Sequence, residues 1–276
     1  MLAATVLALG SAFLHAGWNL FVKQSADRLI AAWGTLAAGG VVGVVALVAL
    51  GLPPAAAVPY LIASTALHTG YALALVRAYM TTDFSVAYPV ARGMAPLLAA
   101  LGGVVLLADG MTPLGLVGAG LVTVSLIWIG LSAGGNQGVQ WAVLTGLFIT
   151  SYTLVDAAGV RSGDEAVRYV AALVALSTLP MTVIVLAARP WTQISQQLRS
   201  GGAPMAGAGV MAVVAYGMVL AAIRLAPVGY VATLRETSVI IGALAGWLFL
   251  GEALGKKRAM AGLVVVGGVA LLALGV

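Results

Sequence analysis

The charged residues inside long apolar segments of the sequence include Arg92, Asp156, Arg235 and Glu236. A charge near the centre of a bilayer costs about 2.5–3.5 kcal/mol on insertion scales, so its presence there indicates a function. Arginine can bind a carboxylate, and a buried carboxylate can bind an ammonium group or carry protons. We therefore predict a binding site, with Asp156 and Glu236 as proton-coupling candidates. The alternative for Arg92 is an internal ion pair with Asp156 or Glu236.

Imidazole, indole and amide side chains recur at helical spacing in further apolar segments. His15, Trp18 and Asn19 are three or four residues apart and share one helix face, which we expect to face inward. Hydrogen bonds between helices are the alternative role for such side chains, and Tyr79 could belong to an interfacial aromatic belt. The predicted substrate cavity comprises His15, Trp18, Asn19, His68, Tyr71, Tyr79, Tyr88, Arg92, Tyr152, Asp156, Arg235 and Glu236.

The composition indicates a helical membrane protein. Of the 276 residues, 62% are hydrophobic and 8% are charged, whereas about a quarter of a soluble domain is charged. Only helices and closed barrels span bilayers, and barrel strands alternate apolar with polar residues. Because the apolar residues here run on without alternation, we predict an all-α integral membrane protein. The scattered lysines and arginines argue against a nucleic-acid partner.

The apolar runs have about the length of spanning helices, and a glycine-rich segment divides them into two groups of five. We predict a first repeat at 1–132, a linker at 133–139 and a second repeat at 140–276. The predicted spans are at about 3–23, 30–51, 56–77, 84–108, 111–131, 140–159, 168–188, 204–223, 227–250 and 259–275.

The two groups of runs carry matching residues. Arg92 and Asp109 have the same spacing as Arg235 and Glu252. Because each repeat contains an odd number of spans, the second must enter the membrane upside down. Inverted repeats are a recurring transporter architecture, with the site near the midplane where the halves meet. Asp109 and Glu252 lie at predicted helix ends, where we expect solvated or capping side chains. The positive-inside rule places both termini outside the cytoplasm.

Short motifs close the fourth and ninth predicted helices. Leu248-Phe249-Leu250-Gly251-Glu252 is the more specific motif, and Leu106-Leu107-Ala108-Asp109 is its weaker counterpart. With ten spans in two halves, the chain resembles the drug/metabolite transporter superfamily. It is most similar to the bacterial branch of paired EamA domains, which includes aromatic amino-acid exporters of the YddG type. The resemblance implies a secondary transporter with a central cavity, located in a bacterial inner or plasma membrane.

We therefore expect a monomeric exporter of small amphipathic or zwitterionic metabolites, amino acids foremost, that works by alternating access. Its partners would be the substrate and the bilayer. A multidrug exporter of cationic compounds is one alternative, and it would need a cavity dominated by carboxylates and aromatics. A channel is another. A membrane enzyme acting on a lipid-like substrate is an alternative of another class, and it would need a serine or an acid pair close to a histidine. The sequence has no nucleophile-elbow or Walker motif. With two histidines and no cysteine, we expect neither a metal nor a cofactor.

Overall fold

The structure, a computed structural model, describes residues 1–132, 137–163, 166–241 and 256–275. Regular structure in these ranges is helical, as predicted, and includes a short 3-10 turn at Ala55–Ala57. The α-helices are α1 (Leu2–Gln24), α2 (Arg28–Leu50), α3 (Val58–Thr81), α4 (Phe84–Leu107), α5 (Pro113–Ser132), α6 (Val139–Arg161), α7 (Ala166–Ala188), α8 (Trp191–Leu225), α9 (Val228–Arg235) and α10 (Lys256–Leu274).

Six of the described helices are long and apolar enough to cross a membrane: α2, α4, α5, α6, α7 and α8. Large apolar side chains cover the outer surface, such as Val48, 84% exposed, and Val105, 78% exposed. A soluble protein rarely exposes so much contiguous apolar surface, whereas lipid solvates it well. The chain is therefore a multi-pass membrane protein. The count of ten spans stays a prediction.

Helix α8 differs from the sequence prediction, which began this span at residue 204. It starts at Trp191 and is 35 residues long, or about 52 Å at the standard rise. The hydrocarbon core of a bilayer is only about 30 Å thick. The first turns contain Gln196, Gln197 and Arg199, so this polar part of the helix extends beyond the membrane.

Helix α9 is interrupted where the prediction had one continuous run from 227 to 250. It ends at Arg235, Glu236 adopts a turn, and helix resumes over 237–241. The Glu236 N–H bonds to the Thr233 carbonyl at 3.1 Å, and the Val239 N–H bonds to the Glu236 carbonyl at 3.0 Å. These bonds span three residues rather than four, a tightening that often marks a functional position within a helix. Residues 242–255, including Glu252 and its motif, lie outside the described residues.

The helices pack in a bundle in which α1 contacts α8 and α9, α3 contacts α6 and α7, α2 contacts α7 and α8, α4 contacts α5, α6 and α9, and α5 contacts α10. Glycine permits the closest approaches. A Cβ atom at Gly43 of α2 would lie 2.5 Å from the Ala171 carbonyl oxygen of α7. Small residues allow such contacts where lipid provides no hydrophobic drive for helix association.

The bundle has two ends, which we name by their connections. The near end contains the α1–α2 turn and the α7–α8 junction, where Arg189 Nε contacts Asp27 Oδ2 at 2.6 Å. The far end contains the segment between α4 and α5, the end of α6 and the α8–α9 junction, where Arg161 contacts Asp109. Because the helices run between these ends, the middle of each helix lies at the middle of the bundle.

Candidate functional site

A cavity of about 160 Å³ lies between α1, α2, α3, α7 and α8, with single contributions from α6 and α9. It begins in the middle of the bundle, where Ser11 and Val219 line it, and extends to Arg28 at the near end. Arg28 is exposed and donates a hydrogen bond to the Tyr79 carbonyl at 3.2 Å. The cavity therefore reaches the near end of the bundle.

The α1 face with the predicted helical spacing lines this cavity. His15, Trp18 and Asn19 are all lining residues. The His15 and Trp18 rings meet edge to face with their centroids 5.1 Å apart. Asn19 Nδ2 donates to the His15 carbonyl at 2.8 Å, so its amide is partly used within the helix. This wall presents an indole, an imidazole and an amide oxygen.

Arg92 of α4 forms a buried ion pair with Glu236 at the interruption after α9. Its Nε lies 3.0 Å from Glu236 Oε2 and its Nη2 lies 2.9 Å from Oε1. The side chains are 4% and 2% exposed. Two parallel bonds to both carboxylate oxygens satisfy the charges and fix their geometry. The structure thus selects Glu236 from the two partners that the sequence left open for Arg92.

Prolines in α4 loosen the helix beside Arg92. Pro96 has no N–H to offer the Arg92 carbonyl four residues earlier. The next N–H, of Leu97, bonds to Thr123 Oγ1 of α5 at 3.2 Å. Arg92 Nη2 in turn contacts the Arg235 carbonyl at 3.3 Å. The Arg92–Glu236 pair therefore ties α4 to the interrupted helix.

Arg235 has a different environment from Arg92. It lines the cavity and is 5% exposed. Within the described residues, its guanidinium makes no hydrogen bond or ion pair with another side chain. A charge removed from water and left unpaired is strongly unfavourable. The cavity wall thus contains a buried cation whose guanidinium is bonded to no side chain in the described part of the chain.

Asp156 of α6 is fully buried and is surrounded by hydrogen-bond donors from three other helices. Tyr169 of α7 donates to Oδ1 at 2.8 Å. Tyr216 of α8 donates to Oδ2, and His68 Nε2 of α3 lies 3.3 Å from the same oxygen. The donors are two phenols and an imidazole, so no arginine or lysine among the described side chains balances this carboxylate.

His68 is positioned by aromatic neighbours as well as by Asp156. Its ring stacks on Tyr152 with centroids 4.0 Å apart and an interplanar angle of 30°. Tyr216 meets it edge to face at 5.5 Å. These three rings line the cavity, with Asp156 behind them.

The structure separates the predicted site residues into two groups. Those that line the cavity are His15, Trp18, Asn19, His68, Tyr71, Tyr79, Tyr152 and Arg235. Those that do not line it are Tyr88, Arg92, Asp156 and Glu236. In this conformation neither Asp156 nor Glu236 can contact a ligand in the cavity, because each carboxylate is covered by its hydrogen-bond partners.

Two tyrosines of the Asp156 cluster, Tyr169 and Tyr216, are not among the predicted site residues. Tyr216 interrupts the apolar run of α8, and a phenol deep in such a run is a signal that could have identified it. Tyr169 lies close to the start of α7, where the sequence suggests only an interfacial aromatic. Its ring reaches Asp156 because Gly159 leaves space: a Cβ there would lie 2.5 Å from the Tyr169 ring and hydroxyl.

At the far end of the bundle, Asp109 and Arg161 form an ion pair, which we call the far-end ion pair. Arg161 Nη1 lies 2.7 Å from Asp109 Oδ1, and Arg161 Nη2 also donates to the Ile223 carbonyl at 2.9 Å. Asp109 Oδ2 accepts from the Val228 N–H at 2.6 Å, which caps α9. We expected Asp109 to be a solvated or capping residue. It is a cap that also joins α4, α6, α8 and α9.

At the near end, Asp27 caps α2 through bonds from the Leu29 and Ile30 N–H groups at 2.9 and 3.2 Å. Partial burial alone would raise the pKa of this carboxyl. The hydrogen bond and charge of Arg189, together with the two backbone donors, outweigh burial and lower the pKa below its ordinary value. Asp27 and Arg189 join α2 to α7, two helices that also pack against each other.

Comparisons with known proteins agree with this architecture. One solved structure, titled "Crystal structure of protein", matches 98% of each chain with a TM-score of 0.78 and 18% identity, which shows a shared fold. None of the curated proteins compared with the sequence matches it. The model of the EamA-like transporter family matches residues 136–274, slightly more than half of the 276 residues. The chain therefore belongs to the EamA-like transporter family.

Proposed function

We propose that the protein is a secondary transporter for small amphipathic metabolites that carry a carboxylate, with amino acids as the foremost class. It would export them from a bacterial cell as a monomer in the inner membrane, with the substrate and the lipid as its partners. The observation that carries the proposal is Arg235, a buried cation on the cavity wall that is bonded to no described side chain.

A carboxylate ligand would remove the electrostatic penalty at Arg235. The guanidinium can donate two parallel hydrogen bonds to a carboxylate, a geometry that also fixes the orientation of the ligand. Arg92 cannot take this role in the described conformation because Glu236 already occupies its donors. Arg235 is therefore the residue that we assign to the acidic group of the substrate.

The remaining wall suits a small side chain with apolar character. The volume of about 160 Å³ resembles an apolar cavity of about 150 Å³ that accommodates benzene. Sites for drug-sized ligands are about 300–1,000 Å³. The lining combines Trp18, Tyr71 and Tyr152 with aliphatic residues. This size favours a compound as small as an amino acid.

The other functions considered are less well supported by the site. A cationic-compound exporter needs carboxylates in the cavity, whereas the described lining includes two arginines and no acid. Folding does bring His68 close to Asp156, as a hydrolase would require. However, no described serine or threonine hydroxyl is bonded to His68 as a nucleophile would be. A lipid-modifying enzyme therefore has no assembled reactive group here.

Alternating access between inverted repeats is supported by the packing and by the two ends. If each helix of α1–α5 is exchanged with its counterpart in α6–α10, the contact between α1 and α8 becomes the contact between α6 and α3. In the same way, the contact between α4 and α6 becomes the contact between α9 and α1. All four contacts occur in the structure. The cavity reaches the near end, while the far-end ion pair closes the other. A transporter would pass through the reverse arrangement, in which the far end opens.

The test is counterflow in proteoliposomes that are preloaded with an unlabelled amino acid. Uptake of the labelled compound should be saturable and should fall at least about tenfold in Arg235→Gln, since a charge-assisted hydrogen bond contributes about 1.5–3 kcal/mol. Arg199→Gln is the matched control, because it removes an exposed cation outside the cavity. Non-saturable flux without counterflow would indicate a channel. Full activity of Arg235→Gln would refute the assignment.

A further inference from the structure

We propose that His68 accepts a hydrogen bond from the amino group of the substrate, and that Asp156 is a positioning residue that keeps His68 in the accepting form. This inference rests on the proposed function, because it concerns the amine of a ligand whose carboxylate Arg235 binds. It replaces the earlier expectation that Asp156 contacts the ammonium group itself, since Asp156 is fully buried and does not line the cavity.

The donors around Asp156 determine which nitrogen of His68 carries the hydrogen. Tyr169, Tyr216 and His68 Nε2 converge on two carboxylate oxygens. We assign Asp156 as the ionised carboxylate, which only accepts hydrogen bonds, and in that state each of these three groups donates. Nε2 of His68 therefore carries a hydrogen. In a neutral imidazole the other nitrogen, Nδ1, is then an acceptor with a free lone pair.

That acceptor is available to a ligand. The His68 side chain is 18% exposed and lines the cavity. Within the described residues, Nδ1 has no hydrogen-bond partner, and it is not among the fully buried polar atoms. The stack on Tyr152 and the edge contact with Tyr216 hold the ring in one orientation. A fixed, unsatisfied acceptor on a cavity wall suits a ligand N–H group.

The charge of Asp156 strengthens this acceptor for a cationic group. Its bonded neighbours are phenols and an imidazole, so its negative charge is not cancelled by a described arginine or lysine. In a low-dielectric interior, this charge attracts an ammonium on the other side of the imidazole ring. The cavity region therefore combines Arg235, a cation bonded to no described side chain, with the anion Asp156 behind His68. This arrangement matches the two charges of a zwitterion.

The prediction is a preference for ligands that carry an amine. The assay measures equilibrium binding of L-leucine and of 4-methylpentanoate, which is leucine without its amino group, to the full-length protein. The wild type should bind the amino acid about 10- to 100-fold more tightly, as expected for a hydrogen bond that involves a charge. His68→Phe keeps the ring stack and removes both nitrogens, so it should abolish this preference while binding of 4-methylpentanoate stays within about threefold.

Asp156→Asn separates positioning from simple structural support. An asparagine amide can donate to Nε2, which leaves the hydrogen on Nδ1 and turns the cavity-facing acceptor into a donor. The nitrogen-15 shifts of the imidazole should therefore report hydrogen on Nε2 in the wild type and on Nδ1 in the variant. The amine preference should disappear in the variant together with this change. Arg199→Gln, which changes an exposed side chain outside the cavity, should retain the preference.

Three outcomes would overturn the inference: equal binding of both ligands by the wild type, a full amine preference in His68→Phe, or a wild-type imidazole with its hydrogen on Nδ1. Failure of the proposed function looks different. In that case neither ligand binds, or binding of both is insensitive to Arg235→Gln. Equal binding that still depends on Arg235 refutes only the role of His68 and Asp156.

Discussion

Replacing Asp109 with asparagine removes the charge from the far-end ion pair while nearly preserving the size of the side chain. The amide oxygen can still accept one hydrogen bond, for example from the Val228 N–H, and Arg161 keeps the Ile223 carbonyl as a partner. The loss is mainly the charged contact of 2.7 Å. Because Arg161 is 28% exposed, solvent screens the pair, and we expect about 1–2 kcal/mol.

This energy should appear as a shift between conformations. If the far end closes through this pair, losing about 1–2 kcal/mol changes the ratio of closed to open molecules about 5- to 30-fold. A wild-type far-open population of about 1%, within the usual range for a minor state, would rise to about 5–25%. A second population of that size is large enough to be detected as a separate distance.

The assay benefits from a chain without cysteine. Spin labels on Gly110→Cys and Leu225→Cys would report the distance across the far end by double electron–electron resonance in nanodiscs. A Cβ at Gly110 meets nothing within 4 Å, and Leu225 is 55% exposed, so both sites should tolerate a label. Asp109→Asn should add a longer distance to the wild-type distribution.

The matched control is Asp27→Asn, the same substitution in an ion pair at the other end of the bundle. It should leave the far-end distribution unchanged, because Asp27 and Arg189 lie at the near end and make none of the contacts that join α4, α6, α8 and α9 at the far end. A wild-type distribution in Asp109→Asn, or the same longer distance in Asp27→Asn, would show that this ion pair does not hold the far end closed.

Three further predictions concern stability. Glu236→Gln should destabilise the protein by about 3–5 kcal/mol, because it leaves Arg92 buried and unpaired. The double variant with Arg92→Met should lose less free energy of unfolding than the two single variants together. Steric trapping in bilayers measures both free energies. Because the pKa of Asp27 is lowered, this carboxylate contributes stability above about pH 4, the pKa in the unfolded chain, and the contribution is lost as the pH falls through the folded pKa. The midpoint temperature of thermal unfolding should therefore fall less steeply between pH 6 and pH 3 in Asp27→Asn than in the wild type. Gly159→Ala should destabilise the protein by about 1–3 kcal/mol by displacing the Tyr169 ring, and an unchanged unfolding midpoint would contradict that packing.

Residue spacing predicted which side chains share a helix face, because this depends only on the period of the helix. The three- and four-residue steps from His15 to Trp18 and Asn19 placed one face of α1 toward the interior, and this face lines the cavity. The same local reasoning listed Arg92 and Glu236 as costly charges in an apolar setting. All-helical structure followed from composition in the same way.

Partners could not be predicted from spacing, since they depend on which helices meet. The sequence left Asp156 and Glu236 as equal partners for Arg92, and only packing of α4 against α9 selects Glu236. The Asp156 cluster joins residues from four helices, so neither Tyr169 nor Tyr216 was identified. The interruption at Glu236 was also missed, because no proline or glycine adjoins it to mark the end of a helix.

The measurement that tests the central claim most directly compares an amino acid with its carboxamide. Both share the side chain and the ammonium group, and only the amino acid carries the carboxylate that we assign to Arg235. Calorimetric binding to the wild type should favour the amino acid at least about tenfold, and this preference should disappear in Arg235→Gln. A preference of the same size in the variant, or none in the wild type, would contradict the account.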